Sequence, residues 1–256
     1  MTSTGSTNAD AMALARAGEP EGIVLVADHQ TAGRGRSGRT WTAPPEGSLL
    51  LSVLLRPPAR VMDLSTMAMA VAAAEAVEAL AGFAPRLKWP NDLVWPGDGS
   101  EPDRKLAGIL AEADWPAAST PDAGYRAPDP DERVVVVVGV GINVTWPDVI
   151  PEDLADIAVA CNHISSTPVD REDLLVAVLQ RLDGHYSSLL DGDRDALLMA
   201  WRSRSGTLGR RVRVELGHRE LEGVAVDITN AGHLVVETDD GPREIAAGDV
   251  VHLRPS

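Results

Sequence analysis

The sequence contains a single cysteine, Cys161, in 256 residues. One thiol cannot close an internal disulfide, which excludes a small disulfide-stabilised scaffold. The six histidines show no paired spacing typical of a zinc site, so no metal-binding residues are predicted. The composition therefore disfavours thiol redox chemistry and metal-centred hydrolysis.

The sequence also lacks a membrane-length apolar run and a secretory leader. Unbroken apolar stretches such as Val134–Val138 fall far short of the ~20 residues that a membrane-spanning helix requires. The first residues, Met1 to Gly5, contain neither the basic segment nor the apolar run of a signal peptide. We therefore expect a cytoplasmic protein without a membrane partner.

Basic residues are few relative to acidic ones. The 23 Lys and Arg residues against 38 Asp and Glu residues give a net charge of −15, which repels polyphosphate unless positive charge is gathered locally. General nucleic-acid binding is thus disfavoured.

With 44% apolar and 24% charged residues, the chain has the balance of a globular protein. At roughly 150 residues per domain, its length predicts one main domain and a smaller one.

The apolar pattern predicts an α+β fold whose main domain, residues 1–205, is a mixed β-sheet packed with helices. Two stretches, 96–104 and 114–132, are rich in proline or glycine and predict exposed loops. The predicted helices are 8–17, 63–81, 170–190 and one more that ends near Trp201, and the predicted strands are 22–27, 48–55, 86–89, 105–113 and 133–138.

From Arg210 onward the apolar period changes to alternation. Val212, Val214 and Leu216 alternate with polar residues, and further alternating runs follow between glycines and asparagines. This pattern predicts a small β-barrel over residues 206–256. About fifty residues bury little core alone, so we expect this barrel to dock on the main domain.

Positive charge is concentrated in one short segment, Gly33–Arg39, which holds three arginines and three glycines. Glycine lets the backbone approach an anion closely, and arginine offers planar, permanently charged donors for phosphate and carboxylate. No Gly-Lys-Ser/Thr follows, so this is not a Walker A loop. A flexible solvated tip or an Arg-Gly tract that binds RNA remains an alternative.

Three further segments combine polar side chains with turns or bare backbone. Lys88-Trp-Pro-Asn-Asp92 joins a cation, a rigid bend and a carboxylate, although such a sequence also forms ordinary turns. Lys105 begins an apolar strand, where a lysine commonly only extends its head into water. Gly139-Val-Gly-Ile-Asn143 would let a ligand pack against backbone, and a turn at the end of a strand explains it about as well.

Taken in chain order, these segments resemble the biotin protein ligase family. The resemblance rests on Ser6-Thr-Asn8, Gln30-Thr-Ala-Gly-Arg-Gly-Arg-Ser-Gly-Arg39, Lys88–Asp92, Lys105-Leu-Ala-Gly-Ile-Leu-Ala-Glu112 and Gly139–Asn143. It covers about residues 6 to 146, and the terminal barrel looks like the SH3-like domain that follows in this family. The family implies a two-step reaction. Biotin and ATP form biotinyl-5′-AMP and pyrophosphate, and the biotinyl group then moves to a lysine of a biotin carboxyl carrier domain.

The resemblance also implies roles for individual residues. Lys105, Asp92 and Arg34 are the expected catalytic residues. The expected biotin-binding residues hold the head group, close over it or line its floor: Ser6, Thr7, Asn8, Gln30, Gly33, Arg34, Gly35, Arg36, Lys105, Gly139 and Gly141. The expected ATP-binding residues are Arg34, Arg36, Trp41, Asn91, Asp92, Lys105 and Asn143.

The implied substrates are biotin and ATP, with Mg²⁺ arriving on the nucleotide. No winged-helix segment is present, so we expect no DNA partner, and we expect a monomer or weak homodimer. Two alternatives keep the same fold or pocket. One is a lipoate- or octanoate-type protein acyltransferase of the same superfamily, and the other is a non-catalytic biotin-binding module. Transfer of biotin to a carrier domain would distinguish an enzyme from the non-catalytic biotin-binding module.

Overall fold

The computed structural model describes residues 1–97, 102–114, 127–150, 152–217 and 219–253. Residues 98–101 of the predicted loop 96–104 and residues 115–126 of the predicted loop 114–132 lie outside these ranges. The helices are α1 (Thr7–Arg16), α2 (Ser65–Ala81), α3 (Glu152–Ala155), α4 (Arg171–Leu190) and α5 (Arg194–Arg204). The strands are β1 (Val24–Ala27), β2 (Ser48–Leu55), β3 (Arg86–Lys88), β4 (Asp92–Trp95), β5 (Arg104–Asp114), β6 (Val135–Asn143), β7 (Arg211–Leu216), β8 (Arg219–Ile228), β9 (Leu234–Thr238), β10 (Gly241–Ile245) and β11 (Asp249–His252).

The first six strands form one sheet in the order β1-β2-β6-β5-β4-β3. Every named pair in it is antiparallel. The parallel pairings among the described residues are isolated bridges, such as Thr4 with Gln30 and Lys105 with Ala158. Strand β2 is buried along its whole length because its Leu- and Val-rich sequence packs on both faces of the sheet. Together with the helices, this antiparallel sheet forms the α+β fold that the sequence predicts.

Helix α2 packs against the sheet and α4 through a nearly continuous surface of alanine and methionine. It ends at Gly82, whose φ of 72° is the left-handed conformation that glycine adopts without strain. The segment Ala59–Ala81 is long enough and apolar enough on average to cross a membrane, although polar residues interrupt it. In this fold, however, 72% of its most apolar stretch is buried inside the protein, as in a core helix.

The last five strands form a second antiparallel sheet in the order β10-β9-β8-β7-β11, which is the small barrel-like unit that the alternating sequence predicts. It docks beside β3. The backbone N–H of Gly206 donates to Leu87 O, the N–H of Trp89 donates to Thr207 Oγ1, and the indole N–H of Trp89 donates to Gly232 O. The boundary between residues 205 and 206 stays a prediction, but these contacts fasten the second sheet to the hairpin of β3 and β4.

Two elements differ from the sequence expectation. The strand expected at 133–138 continues through Asn143, because Gly139 and Gly141 pair with their backbone groups although they carry no side chain. Asp92 does not lie free in a turn but begins β4, where it pairs with Lys88 across the hairpin. The segment Lys88–Asp92 therefore holds Lys88 and Asp92 on paired strands, with Asn91 in the turn between them.

A buried polar cluster joins the first sheet to the second. Asp103 precedes β5, and its Oδ2 lies 2.8 Å from a guanidinium nitrogen of Arg210 and 2.9 Å from His252 Nδ1. The Asp103 and His252 side chains are each only 11% exposed. Burial alone would raise the pKa of the Asp103 carboxyl, but the hydrogen bond from His252 and the positive charge of Arg210 outweigh it and lower that pKa to about 2.

We expect Asp103→Asn to lower the free energy of unfolding by about 1.5–3 kcal/mol at pH 7, the usual value of a hydrogen bond to a charged group. Since the folded carboxyl has a lowered pKa, its stabilisation is fully present above the ordinary value of 3.8 and is lost as the pH falls toward about 2. Urea unfolding of both proteins at several pH values measures this. A difference that stays constant between pH 5 and pH 2 would contradict it.

Candidate active site

A cleft of about 320 Å³ opens between the first sheet and the second. The second sheet contributes Glu215, Asp249, Val250 and Val251 to its wall. The predicted site residues that line the cleft are Ser6, Thr7, Asn8, Gln30, Arg34, Gly35, Arg36, Trp41, Asn91, Asp92, Lys105, Gly139 and Gly141. Residues far apart in the chain thus converge on one cavity.

The floor of the cleft is bare backbone of β5 and β6. Gly108 and Gly141 lie directly opposite each other across these strands. A Cβ atom on Gly141 would come within 2.6 Å of the Trp41 indole, and one on Gly108 within 3.0 Å of both Trp41 and Lys105. A Cβ atom on Gly139 would overlap Asn8 Oδ1. We call Gly108, Gly139 and Gly141 the glycine floor; side chains there would fill the space that Trp41, Lys105 and Asn8 use.

One end of the cleft is a polar pocket at the start of α1, which we call the head pocket. Gln30 Oε1 accepts hydrogen bonds from both the backbone N–H and the hydroxyl of Thr7, at 2.7 and 3.0 Å. Ser52 Oγ lies 2.7 Å from Thr7 Oγ1 and 2.6 Å from Asn8 Oδ1. Ser6, Thr7 and Asn8 are buried although polar. Such a network holds hydrogen-bonding groups in fixed directions beside the cavity.

The arginine loop, Gly33–Arg39, closes over the cleft and is tied to both sheets. Arg34 donates to Glu112 Oε2 on β5 at 2.9 Å, and Arg39 forms an ion pair with Asp249 on β11. Arg36 lies between them: it donates to Asn91 Oδ1 at 3.3 Å, and a guanidinium nitrogen lies 3.9 Å from Asp249 Oδ1. The three arginines predicted to concentrate positive charge therefore line the cleft, and each forms an ion pair with a carboxylate.

Lys105 lies at the centre of the cleft. Its Nζ is 2.6 Å from Asp92 Oδ1 and 5.5 Å from the centre of the Trp41 ring. Hydrogen bonds from Lys105 N to Ile157 O and from Val159 N to Lys105 O fix the backbone there. The lysine head is thus held between a carboxylate and an aromatic face instead of extending freely into water.

Two predicted site residues lie outside the cleft wall. Gly33 is at the base of the arginine loop, where a Cβ atom would come within 2.5 Å of Trp41 O. Asn143 is only 2% exposed, and its amide donates to Val159 O at 3.0 Å. Its expected contact with ATP stays a prediction that this position does not support, because a buried amide bonded to backbone braces the strand end.

Other residues at the cleft were missed by the sequence reasoning. Glu112, Lys88 and Trp89 stand inside the quoted segments but received no role, and Asp249 lies in the barrel, far from any recognised motif. For Asp249 the excess of positive charge in the arginine loop was the available signal, because closely spaced arginines favour nearby carboxylates.

Comparisons with known proteins agree with this architecture. Residues 2–115 match the model of the Biotin/lipoate A/B protein ligase family, and residues 207–253 match the Biotin protein ligase C terminal domain. The structure of a biotin protein ligase from Aquifex aeolicus in complex with biotin and ATP superposes with a TM-score of 0.77 at 28% identity, covering 100% of this chain and 97% of that one. The fold and the cleft thus define the class of biotin and lipoate ligases.

Full-length similarity narrows the class. The chain is 36% identical to the biotin–[acetyl-CoA-carboxylase] ligase of Mycobacterium tuberculosis over 98% of this chain and 87% of that protein. It is 32% identical to the enzyme of the same name from Paracoccus denitrificans, over 96% and 97%. It is also 30% identical to the bifunctional ligase/repressor BirA of Bacillus subtilis, over 96% and 70%. The chain belongs to the biotin protein ligase family.

The tie between Arg34 and Glu112 can be tested without any ligand. We expect Glu112→Ala to raise the rate of tryptic cleavage within the arginine loop about 1.5- to fivefold, the effect of losing a partly exposed ion pair of about 0.2–1 kcal/mol. Asp114→Ala is the matched control, because Asp114 lies on the same strand and pairs with Arg16 outside the loop. Equal cleavage rates in the two variants would show that Glu112 does not restrain the loop.

Proposed function

We propose that this chain is an ATP-dependent biotin protein ligase. It makes biotinyl-5′-AMP and pyrophosphate from biotin and ATP, then transfers the biotinyl group to a lysine of a biotin carboxyl carrier domain. The observation that carries the proposal is that Lys105, paired with Asp92 at 2.6 Å, lines the same cleft as the head pocket and the arginine loop.

The head pocket suits the polar head group of biotin. A ureido group has one carbonyl acceptor and two N–H donors, and the pocket offers hydroxyl and amide groups of both kinds in Ser6, Thr7 and Asn8. Gln30 and Ser52 hold these groups by hydrogen bonds. Family membership supports the same assignment for each of these residues except Ser52, which we add from its contacts.

The adenylation step must overcome electrostatic repulsion. A biotin carboxylate and an α-phosphate at ~4 Å repel each other by about 4 kcal/mol at an effective dielectric near 20. Lys105, Arg34 and Arg36 line the cleft where these groups would meet. The carboxylate oxygen forms a bond to the α-phosphorus as the bond to the β-phosphate oxygen breaks, and pyrophosphate leaves with the electron pair. Fixed cations stabilise the charge that builds on the phosphate oxygens. Mg²⁺ bound to ATP shields the remaining phosphates.

The adenylate is a reactive anhydride, so water must be kept out until the acceptor amine arrives. The arginine loop covers the cleft and is anchored at Glu112 and Asp249, which suits a closing segment. In the second step the lysine ammonium first loses a proton, the neutral amine attacks the biotinyl carbonyl, AMP leaves with the electron pair of the broken bond, and the nitrogen loses a second proton as the amide forms. Asp92, which is only partly buried, is the carboxylate positioned to accept or orient the first of these protons.

The lipoate- or octanoate-type alternative fits the head pocket less well. A dithiolane or alkyl end offers no hydrogen bonds, and binding it would leave the buried polar groups of Ser6, Thr7 and Asn8 without partners from the ligand. A non-catalytic biotin-binding module would not require Lys105 and Asp92 beside an arginine loop. We therefore favour the ligase over both.

The acceptor that we propose is the carrier domain of a biotin-dependent carboxylase, in line with the names of the Mycobacterium and Paracoccus relatives. The cytoplasmic location, the monomeric or weakly dimeric state and the lack of DNA and membrane partners stay predictions of the sequence. Among the described residues no group of three or more His, Cys, Asp or Glu side chains is arranged to hold a metal ion.

The direct test mixes the protein with biotin, ATP, Mg²⁺ and a biotin carboxyl carrier domain. Mass spectrometry should show one lysine of the carrier heavier by one biotinyl group. Without the carrier, the protein should still release pyrophosphate from ATP when biotin is present. Parallel reactions with lipoate and octanoate test the acyl alternative. Binding of biotin without pyrophosphate release or carrier modification would overturn the proposal.

We expect Lys105→Gln to slow adenylate formation by roughly 10²–10³, the range for loss of one preorganised electrostatic donor. Biotin affinity should also fall, because the same ammonium meets the biotin carboxylate. The melting temperature should change little, since the lysine head lies in the cleft and not in the core. Pyrophosphate release, biotin titration and thermal melting on one preparation measure all three. Pyrophosphate release at the parent rate would leave Lys105 without a catalytic role.

We expect Asp92→Asn to slow transfer from preformed adenylate to the carrier more than it slows adenylation. A free lysine amine has a pKa of about 10.4 and is almost wholly protonated near pH 7, so removing the carboxylate that takes its proton costs the second step most. Raising the pH should restore part of the transfer rate. Single-turnover transfer at the parent rate would limit Asp92 to orienting Lys105.

A further inference from the structure

The cations that line the cleft differ in one respect, which is whether a carboxylate already neutralises them. Lys105 pairs with Asp92, and Arg36 and Arg39 pair with Asp249. Arg34, at the rim, pairs with Glu112. Each of these side chains must exchange or share a protein partner when an anionic ligand enters.

Lys88 is the exception. It lines the cleft and is half-buried, yet no carboxylate among the described residues lies within salt-bridge distance of it. Three carboxylates line the cleft wall. Asp92 and Asp249 are engaged as above, and the third, Glu215, lies 3.5 Å from Arg213. Lys88 therefore offers a full positive charge to a ligand without first losing an ion pair.

The sheet topology fixes where this charge lies. The head pocket is built on β2 and β6, Lys105 is on β5, and Lys88 is on β3, with the order β2-β6-β5-β4-β3 across the sheet. Lys88 is paired with Asp92 across the hairpin, so the two side chains project from the same face. Neighbouring strands are about 4.8 Å apart, which places β3 roughly 10 Å beyond β5, on the side away from the head pocket.

The geometry of displacement at phosphorus identifies what binds there. The attacking carboxylate comes from the head-pocket side, and the attacking and leaving oxygens lie roughly in line through the phosphorus. A nucleotide that lies along the cleft from the head pocket toward the second sheet then directs its leaving group toward β3. Its β- and γ-phosphates carry the negative charge that develops as the bond to the α-phosphorus breaks.

We propose that Lys88 binds the β- and γ-phosphates of ATP and stabilises the departing pyrophosphate. This inference rests on the proposed ligase function and extends it with a residue that acts in the first step only. In that step the bond between the carboxylate oxygen and the α-phosphorus forms, the bond to the β-phosphate oxygen breaks with its electron pair, and no proton needs to move. Transfer to the carrier takes place after pyrophosphate has left, so Lys88 contributes nothing to it.

The test compares the two half-reactions in Lys88→Met, which keeps an unbranched side chain but removes the charge. We expect the KM for inorganic pyrophosphate, in the reverse reaction with biotinyl-5′-AMP, to rise about ten- to hundredfold, the effect of losing a charge-assisted contact. Adenylation at subsaturating ATP should fall by a similar factor. Biotin affinity, melting temperature and single-turnover transfer from added adenylate should match the parent protein.

Two further variants sharpen the comparison. Lys88→Arg keeps the charge and should recover most of the pyrophosphate affinity. Arg86→Met is the matched control, because Arg86 is an exposed cation on the same strand that does not line the cleft, and all parameters should stay at parent values.

Three outcomes would overturn the inference. They are an unchanged pyrophosphate KM in Lys88→Met, an equal loss in adenylation and transfer, which would indicate a structural role, and an equal effect of Arg86→Met. A parent protein that forms no adenylate would instead overturn the proposed function, so the two failures are distinguishable.

Discussion

The site depends on one steric constraint, the absence of side chains on the glycine floor. On β5 and β6, which run through the middle of the sheet, Gly108 and Gly141 face each other and leave space above the backbone. Asn8 packs on the floor at one end, and the Trp41 indole lies over its middle. A sheet with ordinary side chains at these positions would have no room for either. The cavity is therefore a property of the sheet itself.

Electrostatics then follow from what surrounds that floor. The protein carries a net charge of −15, yet it gathers five cations, Arg34, Arg36, Arg39, Lys88 and Lys105, around one cavity. Four of them lie within 4 Å of a carboxylate, which limits the unbalanced positive charge in the cleft. Because an entering polyphosphate competes with these carboxylates, the same ion pairs favour a ligand that is both highly charged and correctly placed.

Local sequence signals predicted much of the framework. The run Ser48–Leu55 is a strand with the predicted bounds, and the 3.6-residue rhythm before Leu190 is α4 with Asp170 as its N-cap. These elements are dictated by apolar period and capping, which act over a few residues. The continuation of β6 through Asn143 was missed because glycine gives no strand signal, although its backbone pairs like any other.

For the site, too, local sequence signals predicted some residues and missed others. Most of its predicted residues line the cleft, where segments far apart in the chain converge. Asp249 carried no such signal, since it approaches the arginine loop only after the second sheet docks. Asn143 stood in a recognised motif but is turned inward and bonded to Val159 O. A pattern of residue types does not specify which way a side chain faces at the end of a strand.

Docking of the second sheet is part of the site and not an addition to it. Trp89 makes two of the connecting hydrogen bonds. Its backbone N–H donates to Thr207, just before β7, and its indole N–H donates to Gly232, between β8 and β9. Lys88 and Asp92, in the same hairpin, line the cleft. The Asp103 cluster adds a second fastening near the start of the strand that carries Lys105. A displacement of the second sheet would therefore move the hairpin that carries Asp92 and remove Asp249 from the arginine loop. The chemistry of the cleft is thereby linked to residues that lie more than a hundred positions away in the chain.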